Sequence, residues 1–173
     1  MHLTLVVGDL TEQRVDAVVN AADPSLLGGR GVDGAIHRAA GPGLLAECRQ
    51  LRSTNYPKGL APGQAVATLG YQLPAPWVIH TVGPNRHRGQ QDPGTLSACF
   101  TESLHIAAGL GLRSVAFPAI GAGAFGWDVD VVARLAVEAV QAVRSAVAPP
   151  LGEVRFVAFS EPARAAFAAV LPG

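Results

Sequence analysis

Val18-Val19-Asn20-Ala21-Ala22-Asp23-Pro24-Ser25-Leu26-Leu27-Gly28-Gly29-Arg30-Gly31-Val32-Asp33-Gly34 runs from an apolar strand through a polar turn into a glycine-dense loop, and a helix follows. Glycine allows close approach of backbone to a ligand and leaves N–H groups free to donate. Asn20, Asp23 and Asp33 add side chains able to hydrogen-bond a sugar or orient a water. The segment therefore combines a binding loop with groups that can do chemistry.

The rest of the chain fits one domain. Its 173 residues are 49% hydrophobic and 15% charged, enough apolar material for a full core and too little charge for disorder. Thirteen basic and thirteen acidic residues balance to a net charge of +0, which argues against general nucleic-acid or membrane-surface binding. No apolar run approaches the roughly 18 residues of a membrane span. The N-terminal residues lack the pattern of a signal peptide. Cys48 and Cys99 lie far apart without CxxC spacing, which predicts reduced thiols in a cytoplasmic protein. No Cys/His/Asp spacing suggests a metal site, and no cofactor is expected.

Strand patterns occur at Leu3–Val7, Ala17–Val19, Gln64–Thr68, Trp77–Thr81, Ser114–Phe117 and Val154–Phe159. Helical spacing covers Gly34–Arg52, interrupted at Gly41-Pro42, then Thr95–Ala108, Val129–Val147 after Asp128 as N-cap, and Pro162–Val170. Asn85–Gly94 reads as a surface loop. This alternation predicts an α/β domain with a largely parallel sheet, and unalternated runs such as Val115-Ala116-Phe117 fit strands covered on both faces.

A second glycine-rich loop, Pro118-Ala119-Ile120-Gly121-Ala122-Gly123-Ala124-Phe125-Gly126, also follows a strand and precedes a helix. A helix N-terminus with such a loop is an anion cradle. It lacks the Lys-Ser/Thr of a P-loop, which argues against nucleoside-triphosphate hydrolysis. Two such loops suggest one diphosphate gripped from both sides. Gly121-x-Gly123-x-x-Gly126 also matches a dinucleotide fingerprint, although only one further strand remains after it.

These residues carry a resemblance to the macrodomain family, in particular its MacroD-type branch of ADP-ribose-binding hydrolases. The matching strings are Gly8-Asp9-Leu10-Thr11, Val15 through Ala22, Gly31-Val32-Asp33-Gly34-Ala35-Ile36-His37-Arg38-Ala39-Ala40-Gly41, Val78 through Pro84, and Val115 through Ile120. The resemblance implies a three-layer α/β/α sandwich around a mixed, largely parallel sheet. It implies ADP-ribose, O-acetyl-ADP-ribose and mono-ADP-ribosylated proteins as partners, with hydrolysis at the distal ribose.

It also implies roles. Asp9 would accept a hydrogen bond from the adenine amino group, Phe159 would stack on the ring, and Leu10 would belong to the ADP-ribose-binding residues. Gly31, Val32, Gly121, Ala122, Gly123 and Ala124 would hold the diphosphate, and Phe125 the distal ribose. Asp33, with Asn20 and Asp23, would form the catalytic group. Asp33 would orient and deprotonate a water, or position it while the diphosphate acts as base; a helix N-cap is its plainer role. The sequence departs from the family pattern at Asp23, where the family has asparagine, and at Arg30, where glycine is commoner. Arg30 is expected to offset the added charge by contacting Asp23 or phosphate, or else to be a solvated loop residue. Asp23 also keeps open a reader module that binds ADP-ribose without turnover. His37 and His80 read as packing or hydrogen-bonded histidines, Arg86, His87 and Arg88 as solvated surface, and Trp127 as either a ligand cover or packing.

Overall fold

The computed structural model describes residues 1–147 and 149–173. Six strands form one mixed sheet: β1 (His2–Val7), β2 (Ala17–Ala21), β3 (Ala65–Leu69), β4 (Trp77–Thr81), β5 (Ser114–Phe117) and β6 (Glu153–Ala158). Their order is β1-β6-β5-β2-β4-β3, and every neighbouring pair is parallel except β3 with β4. Five helices cover it: α1 (Gly31–Ala40), α2 (Pro42–Ser53), α3 (Pro93–Gly109), α4 (Val129–Val143) and α5 (Glu161–Val170). The expected three-layer α/β/α sandwich around a mixed, largely parallel sheet is therefore the observed fold. Among the described residues, no helix is long and apolar enough to cross a membrane.

Alternation along the strands makes two cores. Ala17 and Val19 of β2, Val115 and Phe117 of β5, and Val154 and Phe156 of β6 face α3, α4 and α5. Val18, Ala116 and Val157 face the opposite way, toward α1 and α2. Phe100, Phe117, Phe156 and Phe167 form a file of rings through the first core, with successive centroids 5.2, 6.1 and 4.8 Å apart. Removing any one of these fully buried rings costs about 3–5 kcal/mol.

Most element boundaries fall within two residues of the sequence reading. The α1–α2 break lies at Gly41, whose φ of +82° no other residue type adopts easily, and Pro42 then starts α2. Two boundaries differ in consequence. The first helix begins at Gly31, not Gly34, so Asp33 lies inside its first turn and the N-cap position belongs to Arg30. The fourth helix ends at Val143, not Val147: Ala146 donates to the Val143 carbonyl three residues back, and the chain tightens into turns while Val143 and Val147 still pack on the core.

The topology positions the site. From β2 the chain crosses toward the β4–β3 edge through α1 and α2. From β5 it crosses the other way through α4 to β6. The two loops diverge at the C-terminal ends of β2 and β5, which opens a crevice at this switch point. The segments that follow β1 and β6 lie on the same edge.

Candidate functional site

The site begins with orphaned backbone donors. α1 has no side-chain cap on its first turn. Among the described residues, the N–H groups of Gly31, Val32 and Asp33 meet no protein acceptor, so α1 points three free donors and the positive end of its dipole into the crevice. The opposing loop is folded by its own backbone: Ala122 N donates to Ala119 O at 3.1 Å, Gly126 N to Gly123 O at 3.3 Å, and Trp127 N to Gly121 O at 3.0 Å. That leaves the N–H groups of Gly123, Ala124 and Phe125 without a protein acceptor among the described residues. Gly123 is open enough that a Cβ there would meet nothing within 4 Å. Phe125 is half-buried against the core.

Trp127 does not cover the crevice. It is 6% exposed, and its indole N–H donates to the Pro84 carbonyl at 2.8 Å, anchoring the glycine loop to the segment after β4.

Behind the α1 donors lies a chain of buried hydrogen bonds. Asn20 on β2 donates from Nδ2 to Asp33 Oδ1 at 2.9 Å, and the backbone N–H of Asp23 donates to Asp33 Oδ2 at 3.0 Å. Asn20 Nδ2 also lies 3.1 Å from His80 Nδ1, and His80 Nε2 lies 2.9 Å from Thr68 Oγ1. The proton order follows from Asp33. Turning the Asn20 amide over would set its oxygen against a carboxylate, so the NH2 must face both Asp33 and His80. His80 Nδ1 is then an acceptor and Nε2 carries the proton. Thr68 accepts that proton and donates its own to the Leu69 carbonyl at 3.1 Å. Burial, with His37 as a lesser cause, pulls the His80 pKa down to about 3, so the ring stays neutral as this chain requires. Asn20 Oδ1 is left buried without a partner among the described residues.

Asp33 is thus neither an N-cap nor a free carboxylate. It is 3% exposed, with each oxygen accepting from the protein. His37 Nε2 lies 3.4 Å from Asp33 Oδ1, without the alignment of a hydrogen bond. Gly34 lets the first loop lie down on α1: a Cβ there would stand 2.6 Å from the Gly29 carbonyl oxygen. Asp23 accepts from Ser25 N at 2.9 Å, making an Asx turn at the start of the loop. The expected pairing of Arg30 with Asp23 does not form: Arg30 is exposed, and among the described residues it makes no ion pair. Arg52 instead secures this loop, donating to the Ser25 carbonyl at 2.8 Å.

The other end is open. Phe159 immediately follows β6 and is 88% exposed. Asp9, after β1, spends Oδ1 on Thr11 N and Thr11 Oγ1 at 2.8 and 2.7 Å, and its Oδ2 has no protein partner among the described residues. β1 and β6 are paired up to Val7 and Ala158, which brings these two residues to one corner. Leu10 places its side chain in the core, and its backbone N–H has no protein acceptor among the described residues.

Every nominated residue therefore lies on one edge of the sheet. The sequence reading missed the Thr68–His80 extension of the polar chain, whose members stand on three adjacent strands. Its only signal was a histidine set between the apolar residues Trp77, Val78 and Ile79 and the polar Thr81 of one strand. Neither cysteine competes as a nucleophile. Burial raises Cys48 to about 12 and Cys99 to about 11.

Residues 19–136 match the Macro domain family. The chain is 53% identical over 167 residues to a Streptomyces griseus Macro domain-containing protein, covering 96% of this chain and 93% of that one. It is 46% identical over 168 residues to an O-acetyl-ADP-ribose deacetylase of Klebsiella pneumoniae, covering 96% and 94%. An Oceanobacillus iheyensis macrodomain solved with ADP superposes with a TM-score of 0.88 at 37% identity, over 95% of this chain and 87% of that one. By sequence and by fold, this chain belongs to the Macro domain family.

Proposed function

We propose that the crevice binds ADP-ribose and hydrolyses esters at its distal ribose, deacetylating O-acetyl-ADP-ribose and releasing mono-ADP-ribose from acidic side chains of proteins. The observation that carries this reading is the pair of unpaired N–H arrays, Gly31–Asp33 and Gly123–Phe125, facing the switch point between β2 and β5. Six backbone donors and a helix N-terminus suit a diphosphate. In this reading the ligand follows the strand order. Adenine lies over β1 and β6, between Asp9 and Phe159. The diphosphate lies over β5 and the start of α1. The distal ribose lies near β2, against Phe125, Asn20 and the Asp23 turn. Neighbouring strands stand about 4.8 Å apart, so β1 to β2 spans about 14 Å, a length suited to a dinucleotide-sized molecule.

The division of labour follows from which groups are free. Asp33 holds Asn20 and the backbone of Asp23, and so fixes the floor of the ribose pocket. With both its oxygens engaged, the base of choice is a diphosphate oxygen of the substrate itself, gripped next to the reacting ester. Water gives its proton to that oxygen and attacks the ester. The ester C–O bond breaks, and the departing oxygen takes the proton back. Asn20 Oδ1, buried and unpartnered, is the acceptor available to a ribose hydroxyl or to the attacking water. Asp23, accepting only, takes a ribose hydroxyl where an asparagine could also donate.

The test is calorimetric titration with ADP-ribose, followed by incubation with O-acetyl-ADP-ribose and with a glutamate-linked mono-ADP-ribosylated peptide. One-to-one binding and release of free ADP-ribose are expected. Tight binding with neither substrate hydrolysed would leave a reader module. Failure to bind ADP-ribose overturns the proposal.

A further inference from the structure

The segment after β4 is the next along the sheet beyond the proposed ribose position, on the side where a modified protein must leave the crevice. It carries Arg86, His87 and Arg88 on a single short 3-10 turn. That turn is built to hold its shape. Asn85 Oδ1 caps the His87 N–H at 3.0 Å, Gly89 closes it in the left-handed conformation, and Gln90 Oε1 accepts from Asn85 N at 2.7 Å.

The turn is also fastened to the glycine loop. Arg86 N donates to the Phe125 carbonyl at 3.0 Å. The His87 ring packs on Gly126, where a Cβ would stand 2.9 Å from Nε2. The Arg86 guanidinium lies 5.3 Å over the Trp127 ring, and Trp127 is itself bonded to Pro84. All three basic side chains are exposed. Among the described residues neither arginine makes an ion pair. Asp92, the carboxylate nearest in sequence, caps α3 by accepting from Gly94 N, and Asp128, next to Trp127, caps α4 by accepting from Asp130 N. In a chain of zero net charge, this is a concentrated basic rim beside the reactive end.

We propose that the Arg86–Arg88 turn is a docking surface for the protein part of the substrate, and that it favours ADP-ribosylated carboxylates flanked by further acidic residues. This deepens the hydrolase reading and rests on it. Rim charges of this kind raise association rates and fade with salt. They attract the diphosphate common to every substrate here as well as an acidic peptide, but only the peptide substrates differ in their flanks. O-acetyl-ADP-ribose, which carries an acetyl group and no peptide, is therefore the internal control.

The experiment compares kcat/KM for three substrates: a peptide mono-ADP-ribosylated on one glutamate with aspartate and glutamate flanks, the same peptide with serine and glycine flanks, and O-acetyl-ADP-ribose. Wild type is expected to favour the acidic peptide about tenfold at low salt, with the preference shrinking in 0.5 M salt. Arg88→Gln should reduce that preference and Arg88→Glu abolish or reverse it, while kcat/KM for O-acetyl-ADP-ribose falls by much less than that for the acidic peptide. Should the protein bind ADP-ribose without turnover, the affinities of the two peptides are compared in the same variants. Equal handling of the two peptides by wild type overturns the proposal, as does an Arg88→Glu loss shared equally by O-acetyl-ADP-ribose. Either result with normal ADP-ribose binding leaves the site reading intact, whereas loss of ADP-ribose binding in wild type sinks the site reading first.

Discussion

At the β1–β6 corner the proposed binding groups stand close to solvent: Phe159 is 88% exposed, and Asp9 keeps one carboxylate oxygen without a protein partner among the described residues. At the β2 end Asp33 is 3% exposed and Asn20 fully buried, and both belong to a hydrogen-bonded chain that continues through His80 to Thr68. At the first corner Phe159 can be altered without disturbing the fold, because its exposed ring supports nothing else, whereas Asp9 also caps the turn at Leu10–Glu12. The second cannot, because the groups that would shape the proposed ribose pocket also satisfy one another in the interior. Stability and binding should therefore separate at one end and move together at the other.

Asp33→Ala is the strongest attempt to break that pattern. It strands two buried donors, Asn20 Nδ2 and Asp23 N, each costing about 1–3 kcal/mol when left unpaired. Urea denaturation should show a loss of several kcal/mol, and calorimetry a matching loss of ADP-ribose affinity as the first loop relaxes. If stability were unchanged while turnover vanished, Asp33 would be a water-activating carboxylate after all, and the two ends would not differ in kind.

Acid should reveal the same coupling without a mutation. His80 is held neutral in the fold, near a pKa of about 3, against an ordinary value of 6.5. Between those values the unfolded chain binds a proton that the folded chain refuses. The stability that neutral His80 confers is complete above pH 6.5 and falls as pH drops toward 3, with a slope of at most about 1.4 kcal/mol per pH unit. Melting temperatures from pH 7.5 to 4.5 should decline more steeply in wild type than in His80→Gln. Equal slopes would mean that the ring is not locked into the chain.

How far this was legible in the sequence differs between the two ends as well. Strand and helix order, the Gly41-Pro42 break and both glycine loops follow from local patterns, since apolar periodicity and glycine or proline chemistry act over a few residues. Phe159 and Asp9 are singled out by the family resemblance, and both stand at the ends of strands that local patterns do show. The reactive end is built across the sheet. Asn20 meets His80 through the β2–β4 register, sixty residues apart, and His80 reaches Thr68 across the β4–β3 pairing. No local pattern encodes such a chain. The N-cap reading of Asp33 failed for a related reason: a glycine-rich string gives no propensity signal for where the helix starts, and the free α1 donors become usable only because it starts at Gly31. Arg86, His87 and Arg88 look like ordinary surface until Phe125, Gly126 and Trp127 are seen against them.

The smallest effect on stability should come from Phe159→Ala, and it sharpens the contrast within a single strand. Phe156, three residues earlier, is fully buried and stacks on Phe167 at 4.8 Å, so its role is packing. Phe159 follows the last paired residue, Ala158, and presents its ring to solvent. Truncating an exposed ring removes little buried area, so the unfolding midpoint should move by less than about 0.5 kcal/mol in equivalent stability. Adenine stacking on an aromatic ring contributes about 1–3 kcal/mol, so ADP-ribose affinity should fall about 5- to 150-fold. Phe159→Trp should retain the affinity. An affinity loss in Phe159→Ala matched by an equal loss in Phe159→Trp would point to a role for the ring other than stacking, and the open corner would no longer be the adenine end.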